Sequence, residues 1–176
     1  MSTLGVDDFK AKLIGGGARA NLFQVIVNNP PTGAGLNTEL LSYTCKAASL
    51  PPSVVAQIDV PFRGRQLKVA GDRTFENWTI TIYNEDAQDV RSAFESWMNS
   101  INQHVANLGV KNPRDYQADL IVQQLDRQAT VTKSYDIRGA FPVNVSEIEL
   151  NYENNDAIEE FTVEFAYQYW ESRTTS

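Results

Sequence analysis

Strict alternation of polar and apolar residues near the end of the chain is the feature that most restricts its fold. Between residues 147 and 153 every odd position is polar and every even position is apolar. Between residues 161 and 169 the odd positions are aromatic or Val, and the even positions are Thr, Glu, Ala and Gln. A period of two places one set of side chains on each face of a β-strand. Because Asn154, Asn155 and Asp156 tolerate turn geometry, we predict a hairpin with one core face and one carboxylate-bearing face.

The rest of the chain contains further strand patterns and one helical pattern. Strands are predicted at 22–27, 41–48, 54–62, 65–70, 75–83, 120–125 and 131–138, with a hairpin turn at Gly64 and breaks at Gly139 and Pro142. Residues 28–37 contain two prolines and two glycines and should be irregular. Apolar residues at three- and four-residue spacing predict a helix at about 85–108, capped by Asn84. The fold class is α+β, mainly β: an antiparallel β-sandwich or partial barrel with one flanking α-helix.

The length of 176 residues is enough for one domain with its own core. Residues 1–20 carry the short amphipathic set Val6, Phe9 and Leu13, followed by Gly15, Gly16 and Gly17. We interpret them as a flexible arm or short helix that docks on another molecule. Residues 21–171 then form a single domain, and 172–176 form a short tail.

The net charge of −7 is concentrated at one end of the chain. Residues 1–138 hold fourteen acids and fourteen bases, whereas residues 139–176 hold eight acids and one base. The same segment contains seven aromatic residues, so it should be folded. A negatively charged surface repels nucleic-acid phosphates, which argues against a protein that reads DNA or RNA sequence. One cysteine, no secretory signal and no membrane-spanning stretch indicate folding in a cytoplasm without a membrane anchor.

Residues that could carry chemistry are few, and each has a structural alternative. His104 is the sole histidine, and Cys45 lies in a predicted strand as a small core residue. The glycines at 15–17 lack the ending of a phosphate loop. Asn154 to Asp156 with Glu159 and Glu160 could bind calcium, but their spacing does not match an EF-hand. Glu147 and Glu149 could act as a glycosidase pair, although neighbouring carboxylates on an exposed strand are usually solvated. We therefore predict no enzyme, cofactor or metal.

Four sequence blocks resemble a known family. They are Asn21-Leu22-Phe23-Gln24-Val25, then Cys45-Lys46-Ala47 leading to Leu50-Pro51, then Ala70-Gly71-Asp72-Arg73-Thr74-Phe75 with Trp78, and finally Phe161 to Glu171. In this order and at this spacing they resemble the tail tube proteins of contractile-tailed bacteriophages. The resemblance runs from about residue 18 to residue 171.

The resemblance implies a non-enzymatic structural protein of the virion tail that is assembled in the host cytoplasm. It implies six-membered rings stacked into a tube, with four strands from each subunit in a continuous inner barrel. It also implies contacts with a tail sheath protein, baseplate and tail-terminator proteins, and a tape-measure protein inside the tube. Duplex DNA would pass through the tube during genome ejection without specific binding.

Three groups of residues are candidates for these contacts. Acidic candidates for the channel wall are Glu147, Glu149, Glu153, Glu160 and Glu164, since carboxylates would repel DNA phosphates. Candidates for stacking between rings are Arg63, Arg65 and Lys68, at and after the tip of the 54–70 hairpin. Candidates for the sheath contact are Asp89, Glu95 and His104, on the polar face of the predicted helix. The tube of a phage-derived contractile injection or type VI secretion system, and a glycan-binding or glycan-active β-sandwich, stay as alternatives.

Overall fold

The computed structural model of the protein describes residues 5–12, 17–153 and 155–173. Its helices are α1 (Val6–Lys12), α2 (Thr38–Thr44) and α3 (Asp89–Ile101), with a 3₁₀ turn at Pro113–Asp115. Its strands are β1 (Phe23–Asn28), β2 (Cys45–Ala48), β3 (Val54–Phe62), β4 (Arg65–Thr74), β5 (Trp78–Tyr83), β6 (Ala118–Leu125), β7 (Val131–Val145), β8 (Glu160–Ala166) and β9 (Tyr169–Ser172). The predicted mainly β, antiparallel class is confirmed, with two short helices beside the flanking one. Leu13, Gly15 and Gly16 of the predicted arm, Asn154 of the predicted turn and residues 174–176 of the tail lie outside the described residues.

Strand β7 belongs to two sheets. Its residues 131–140 pair with β6 and β9, whereas residues 141–145 pair with β8. The first sheet therefore has the order β1-β6-β7-β9, and the second sheet has the order β7-β8-β5-β2. Buried residues of both sheets form one core. In the part of the chain that the structure describes, β1 and β2 end the strand order without pairing with each other, so no closed barrel forms within one subunit.

Gly139 lies where β7 passes from the first sheet to the second. The register with β6 shifts there by one residue, from Leu120 opposite Ile137 to Ala118 opposite Ala140. Gly139 has φ +62°, and its backbone N–H donates to Asp119 Oδ1 at 3.1 Å. A glycine with positive φ is characteristic of a β-bulge that bends a strand. Gly139 and Pro142 were predicted to interrupt the strand; the bulge instead lets it continue to Val145.

The core forms where α3 packs on the second sheet. Phe94 and Trp97 of α3 both contact the Phe165 ring, with centroids 5.8 and 6.3 Å away. The indole N–H of Trp97 donates to the Tyr116 carbonyl oxygen at 2.7 Å, so this large side chain is buried without an unpaired polar atom. The predicted apolar stripe is thus confirmed for its first half, through Trp97.

The helix has different ends from those predicted. It begins after Gln88, and the Val90 N–H donates to Glu85 Oε1 at 3.2 Å, whereas Asn84 instead bonds to Glu159. It ends at Ile101 because the chain folds back across its last turn. A Cβ on Gly109 would lie 1.8 Å from the Ile101 carbonyl oxygen, a distance that only glycine permits. Two predicted stripe residues beyond this end, Val105 and Leu108, are exposed.

The prediction of a strand over 41–48 is half wrong, because residues 38–44 form α2. Asn37 caps this helix, with its Oδ1 accepting from the Leu40 N–H at 3.1 Å. Leu41 is completely buried in the core. The strand β2 begins only at Cys45, which packs at the edge of the core as predicted.

The first strand of the predicted C-terminal hairpin does not form. Strand β8 is present, with Phe161, Val163 and Phe165 buried as the alternation predicted. However, β8 pairs with β5 on one edge and β7 on the other. No edge is left for residues 147–153, which carry no regular structure, and Asn151 turns the chain by accepting the Glu153 N–H at 3.0 Å.

We expect Gly139→Ala to lower the free energy of unfolding by about 1–2 kcal/mol. The new Cβ would occupy a left-handed conformation and would lie 2.9 Å from Gln168 Cγ. Gly33→Ala is the matched control, since nothing lies within 4 Å of its added Cβ. Urea unfolding of both variants measures the difference, and equal midpoints would contradict the role of Gly139 in the bend.

Candidate functional site

The hairpin of β3 and β4 stands away from the core. Each described residue of these strands is exposed except Gly71, which is half-buried. Cross-strand pairing sets Ile58 opposite Val69 and Val60 opposite Leu67. One face of the hairpin, the apolar face, consists of Ile58, Val60, Phe62, Leu67 and Val69. Because an isolated two-stranded hairpin is marginal in water, this face is suited to contact with another molecule.

The tip of the hairpin is basic. Arg63 and Gly64 have φ values of 45° and 81° and form the two-residue turn between Phe62 and Arg65. The Arg63 guanidinium carbon lies 5.4 Å from the centre of the Phe62 ring. No acidic residue occurs between 60 and 68. The structure thus brings together the three bases predicted for stacking, Arg63, Arg65 and Lys68, on one exposed element; the stacking itself stays a prediction.

Sequence analysis missed the apolar face of this hairpin, although its signal is present. Ile58, Val60 and Phe62 alternate with Asp59 and Pro61, which is the period of a strand with one apolar face.

Two of the five acidic channel candidates lie on strand β8, on the face opposite its core residues. Glu160 forms an ion pair with Lys46 of β2, and this bond raises the pKa of Lys46 above its usual value. Glu164 accepts a hydrogen bond from Asn77 Nδ2 at 2.8 Å. The Lys46 ammonium also lies 5.4 Å from the centre of the Tyr83 ring. These side chains make the outer face of the second sheet polar.

The other three acidic candidates are not on a strand. Glu147, Glu149 and Glu153 are exposed in the irregular segment that follows β7. Strand pairing ends at Ser146, whose backbone N–H donates to the Thr162 carbonyl oxygen at 2.9 Å. Leu150 and Tyr152, predicted to face the core, are exposed instead. The orientation of these three carboxylates toward a channel stays a prediction.

An open groove of about 950 Å³ lies beside these segments. Residues 148–152 and 156–160 form its walls together with Lys46 and Tyr83, at the end of the second sheet. Its lining includes four carboxylates, from Glu149, Asp156, Glu159 and Glu160, against one ammonium group. Apolar side chains of Leu150, Tyr152 and Ile158 are also exposed there. The groove, called the acidic groove below, therefore combines apolar surface with negative charge.

The three sheath candidates do not share one helix face. Asp89 is exposed in the first turn of α3, and Glu95 pairs with Arg91, with Nε and Oε1 3.0 Å apart. His104 lies beyond the helix, in an exposed turn where its backbone N–H donates to Asn99 Oδ1 at 3.2 Å. Its predicted place on the helix is wrong, since α3 ends at Ile101. A sheath contact by these residues stays a prediction.

Chemical groups that could support catalysis are sparse in the described residues. Within 5–12, 17–153 and 155–173 no three His, Cys, Asp or Glu side chains are grouped to hold a metal ion. Burial raises the pKa of the Cys45 thiol to about 11, which keeps it protonated at neutral pH. None of the described helices combines the length and the apolar character needed to span a membrane.

Comparison with known proteins agrees with the resemblance seen in the sequence. The phage tail tube protein family matches residues 18–173. Tail tube protein gp19 of Enterobacteria phage T4 is 39% identical over 155 residues, covering 88% of this chain and 91% of the relative. The tail tube protein of Serratia phage KSP90 is 29% identical over 165 residues, covering 92% and 93%.

Solved structures share the fold. A chain in the sheath-tube complex of an extracellular contractile injection system (PVC, extended state) superimposes with a TM-score of 0.63 at 12% identity, covering 97% of this chain and 99% of the other. A chain of the anti-feeding prophage cap gives 0.65 at 16% identity, covering 91% and 92%. The family match and the 39% identity to the T4 relative show that the chain belongs to the phage tail tube protein family and is a structural component of the virion tail.

Proposed function

We propose that this chain assembles into six-membered rings that stack into the tube through which the phage genome leaves the virion. The observation that carries the proposal is that both outer strands of the second sheet have an unpaired edge within the described residues. Strand β2 pairs only with β5, and residues 141–145 of β7 pair only with β8, among the strands described. Exposed strand edges favour pairing with another chain. Edge-to-edge contact between copies would continue the sheet and remove both edges.

The size of such a ring suits its cargo. Six copies with four strands each give twenty-four strands, and a spacing of about 4.8 Å between strands gives a circumference of roughly 115 Å. The corresponding backbone diameter is roughly 37 Å before strand tilt widens it. This opening is on the scale of a double helix, and one subunit alone could not enclose it.

The outer face of the second sheet is the proposed channel wall. It carries Glu160 and Glu164, together with Thr79, Thr81 and Thr162 on paired positions of β5 and β8. Carboxylates on this wall would repel phosphate and would not release counterions from DNA, so the duplex would slide without adhering. Glu147, Glu149 and Glu153 would lie near one rim of this wall, since their segment adjoins the acidic groove.

Assembly into a tube would also bring this chain into contact with other tail proteins. Structural neighbours come from a sheath-tube complex, a baseplate, and tube-terminating cap and terminator assemblies. We propose that this chain likewise contacts a sheath, through surfaces that include Asp89 and Glu95, and baseplate and terminator proteins at its ends. A tape-measure protein would occupy the channel before DNA. The tube of a contractile injection system shares this fold and is the second candidate; the greater identity to phage tube proteins favours the phage.

Charge reversal at the hairpin tip should disrupt stacking. We expect Arg63→Glu/Arg65→Glu to shorten or abolish tubes in negative-stain micrographs, because the basic tip would no longer attract acidic surface. The circular dichroism spectrum should be unchanged, since both side chains are exposed. Arg63→Lys/Arg65→Lys keeps the charge and should keep the tubes. Tubes of normal length in the Glu variant would contradict the stacking role.

A basic residue on the wall should make the channel adhere to DNA. We expect tubes of Glu164→Lys to retain duplex DNA more strongly than wild-type tubes, and added salt to release it. Glu164→Gln removes the carboxylate without adding a positive charge and should have a smaller effect. Filter binding over a range of NaCl concentrations measures the difference. Equal retention by all three proteins would place Glu164 away from the channel.

We also propose that the protein is not a catalyst. The reactivity of Cys45, which carries the one thiol of the chain, tests this proposal. At pH 8 a thiol with a pKa of about 11 is almost entirely protonated. We expect iodoacetamide to alkylate the folded protein slowly, at a rate that rises with pH up to about 11, and to alkylate the urea-unfolded chain much faster. Rapid alkylation of the folded protein at pH 7 would show an activated cysteine.

A further inference from the structure

The hairpin and the acidic groove lie at opposite ends of the second sheet. The hairpin leaves this sheet where β2 ends at Ala48, which pairs with Ile80. The groove lies at the other end, where Tyr83 pairs with Glu160 and β2 begins beside Ile82. Strand β5 between the two ends has six residues and spans roughly 17 Å. The hairpin is therefore attached at the end of the second sheet that lies away from the groove.

The surfaces at these two ends complement each other in charge. The tip carries Arg63 and Arg65 and no carboxylate, whereas Lys68 lies further along β4, opposite Asp59 of β3. The groove carries four carboxylates and one lysine, and because Glu160 pairs with Lys46, the groove keeps a net negative charge from Glu149, Asp156 and Glu159. Opposite charges of this number on separate ends of one molecule attract copies head to tail and repel the two other end-to-end arrangements.

The two surfaces also complement each other in apolar character. Phe62 and Leu67, next to the tip, are 66% and 61% exposed. Leu150 and Ile158 in the groove are 79% and 69% exposed, and the Tyr152 side chain is also fully accessible. Mutual burial of these side chains would remove apolar area from water on both partners.

We propose that the acidic groove of one copy receives the basic hairpin tip of a second copy. This proposal rests on the proposed self-assembly and names the receiving surface for the hairpin. The Phe62 and Leu67 side chains would pack against Leu150, Tyr152 and Ile158, while Arg63 and Arg65 pair with the groove carboxylates. With nine residues in β3, the hairpin is roughly 30 Å long and can cross from one ring to the next. A contact between two different surfaces is heterologous and continues without closing, as stacking requires.

Site-specific crosslinking tests the contact. Two proteins are made in a Cys45→Ala background, one with Phe62→Cys and one with Leu150→Cys. They are mixed, assembled and treated with a short bismaleimide. We expect a covalent dimer that contains one copy of each protein and is at least several-fold more abundant than in either protein alone. Val105→Cys in place of Leu150→Cys is the control, because Val105 is fully exposed but lies outside the groove.

The outcomes separate the two proposals. Tubes without the mixed dimer, or with an equal amount in the Val105→Cys control, would overturn the groove contact and leave self-assembly intact. Absence of rings and tubes in the wild-type protein under all conditions would overturn the proposed function itself.

If the cysteine variants fail to assemble, reversing the charges of both the tip and the groove provides a second test. Glu149→Lys/Asp156→Lys alone and Arg63→Glu/Arg65→Glu alone should each reduce tube length. A protein that combines all four changes should recover tubes, because the attraction between tip and groove is restored with reversed sign. No recovery in a combined variant with a wild-type circular dichroism spectrum would overturn the groove contact.

Discussion

The sharing of one long strand by two sheets is the constraint on which the rest of this structure depends. Residues 131–140 of β7 complete the first sheet, and residues 141–145 start the second sheet. The passage of β7 from the first sheet to the second requires the bulge at Gly139, where the backbone adopts a conformation that other residues reach only with strain. Arg138, beside it, bonds to Asp119 at 2.8 Å and thereby ties the bend to β6. The two sheets then enclose a single core.

This arrangement leaves the subunit with surfaces that it does not cover itself. Both edges of β8 are used within the subunit, so the open edges of the second sheet fall on β2 and on residues 141–145. The hairpin of β3 and β4 carries its apolar face outside the core. In a monomer these features would promote aggregation. In the proposed ring and tube, the open edges and the apolar face of the hairpin would serve as contacts between copies.

Charge differs between the two ends of the second sheet. The hairpin with the basic tip leaves the second sheet at the end away from the acidic groove; Glu160 lines the groove, and Glu164 lies on the outer face of the sheet between these ends. An assembly that stacks in this direction would pair the basic tip with the acidic groove and would leave the Glu164 carboxylate on its wall. The concentration of acids after residue 139 thus has two proposed uses, one in stacking and one in repelling DNA.

Local sequence determined the elements whose signal repeats within a few residues. The alternation at Phe161, Val163 and Phe165 predicted β8, and the stripe through Trp97 predicted α3, because burial of one face imposes a period of two or 3.6. Tertiary structure decided where those elements end and what they pair with. Residues 147–153 alternate as well as β8 does, yet they form no strand because β5 and β7 already occupy both edges of β8. Strand pairing is set by edges that distant segments compete for, and no local period records that competition.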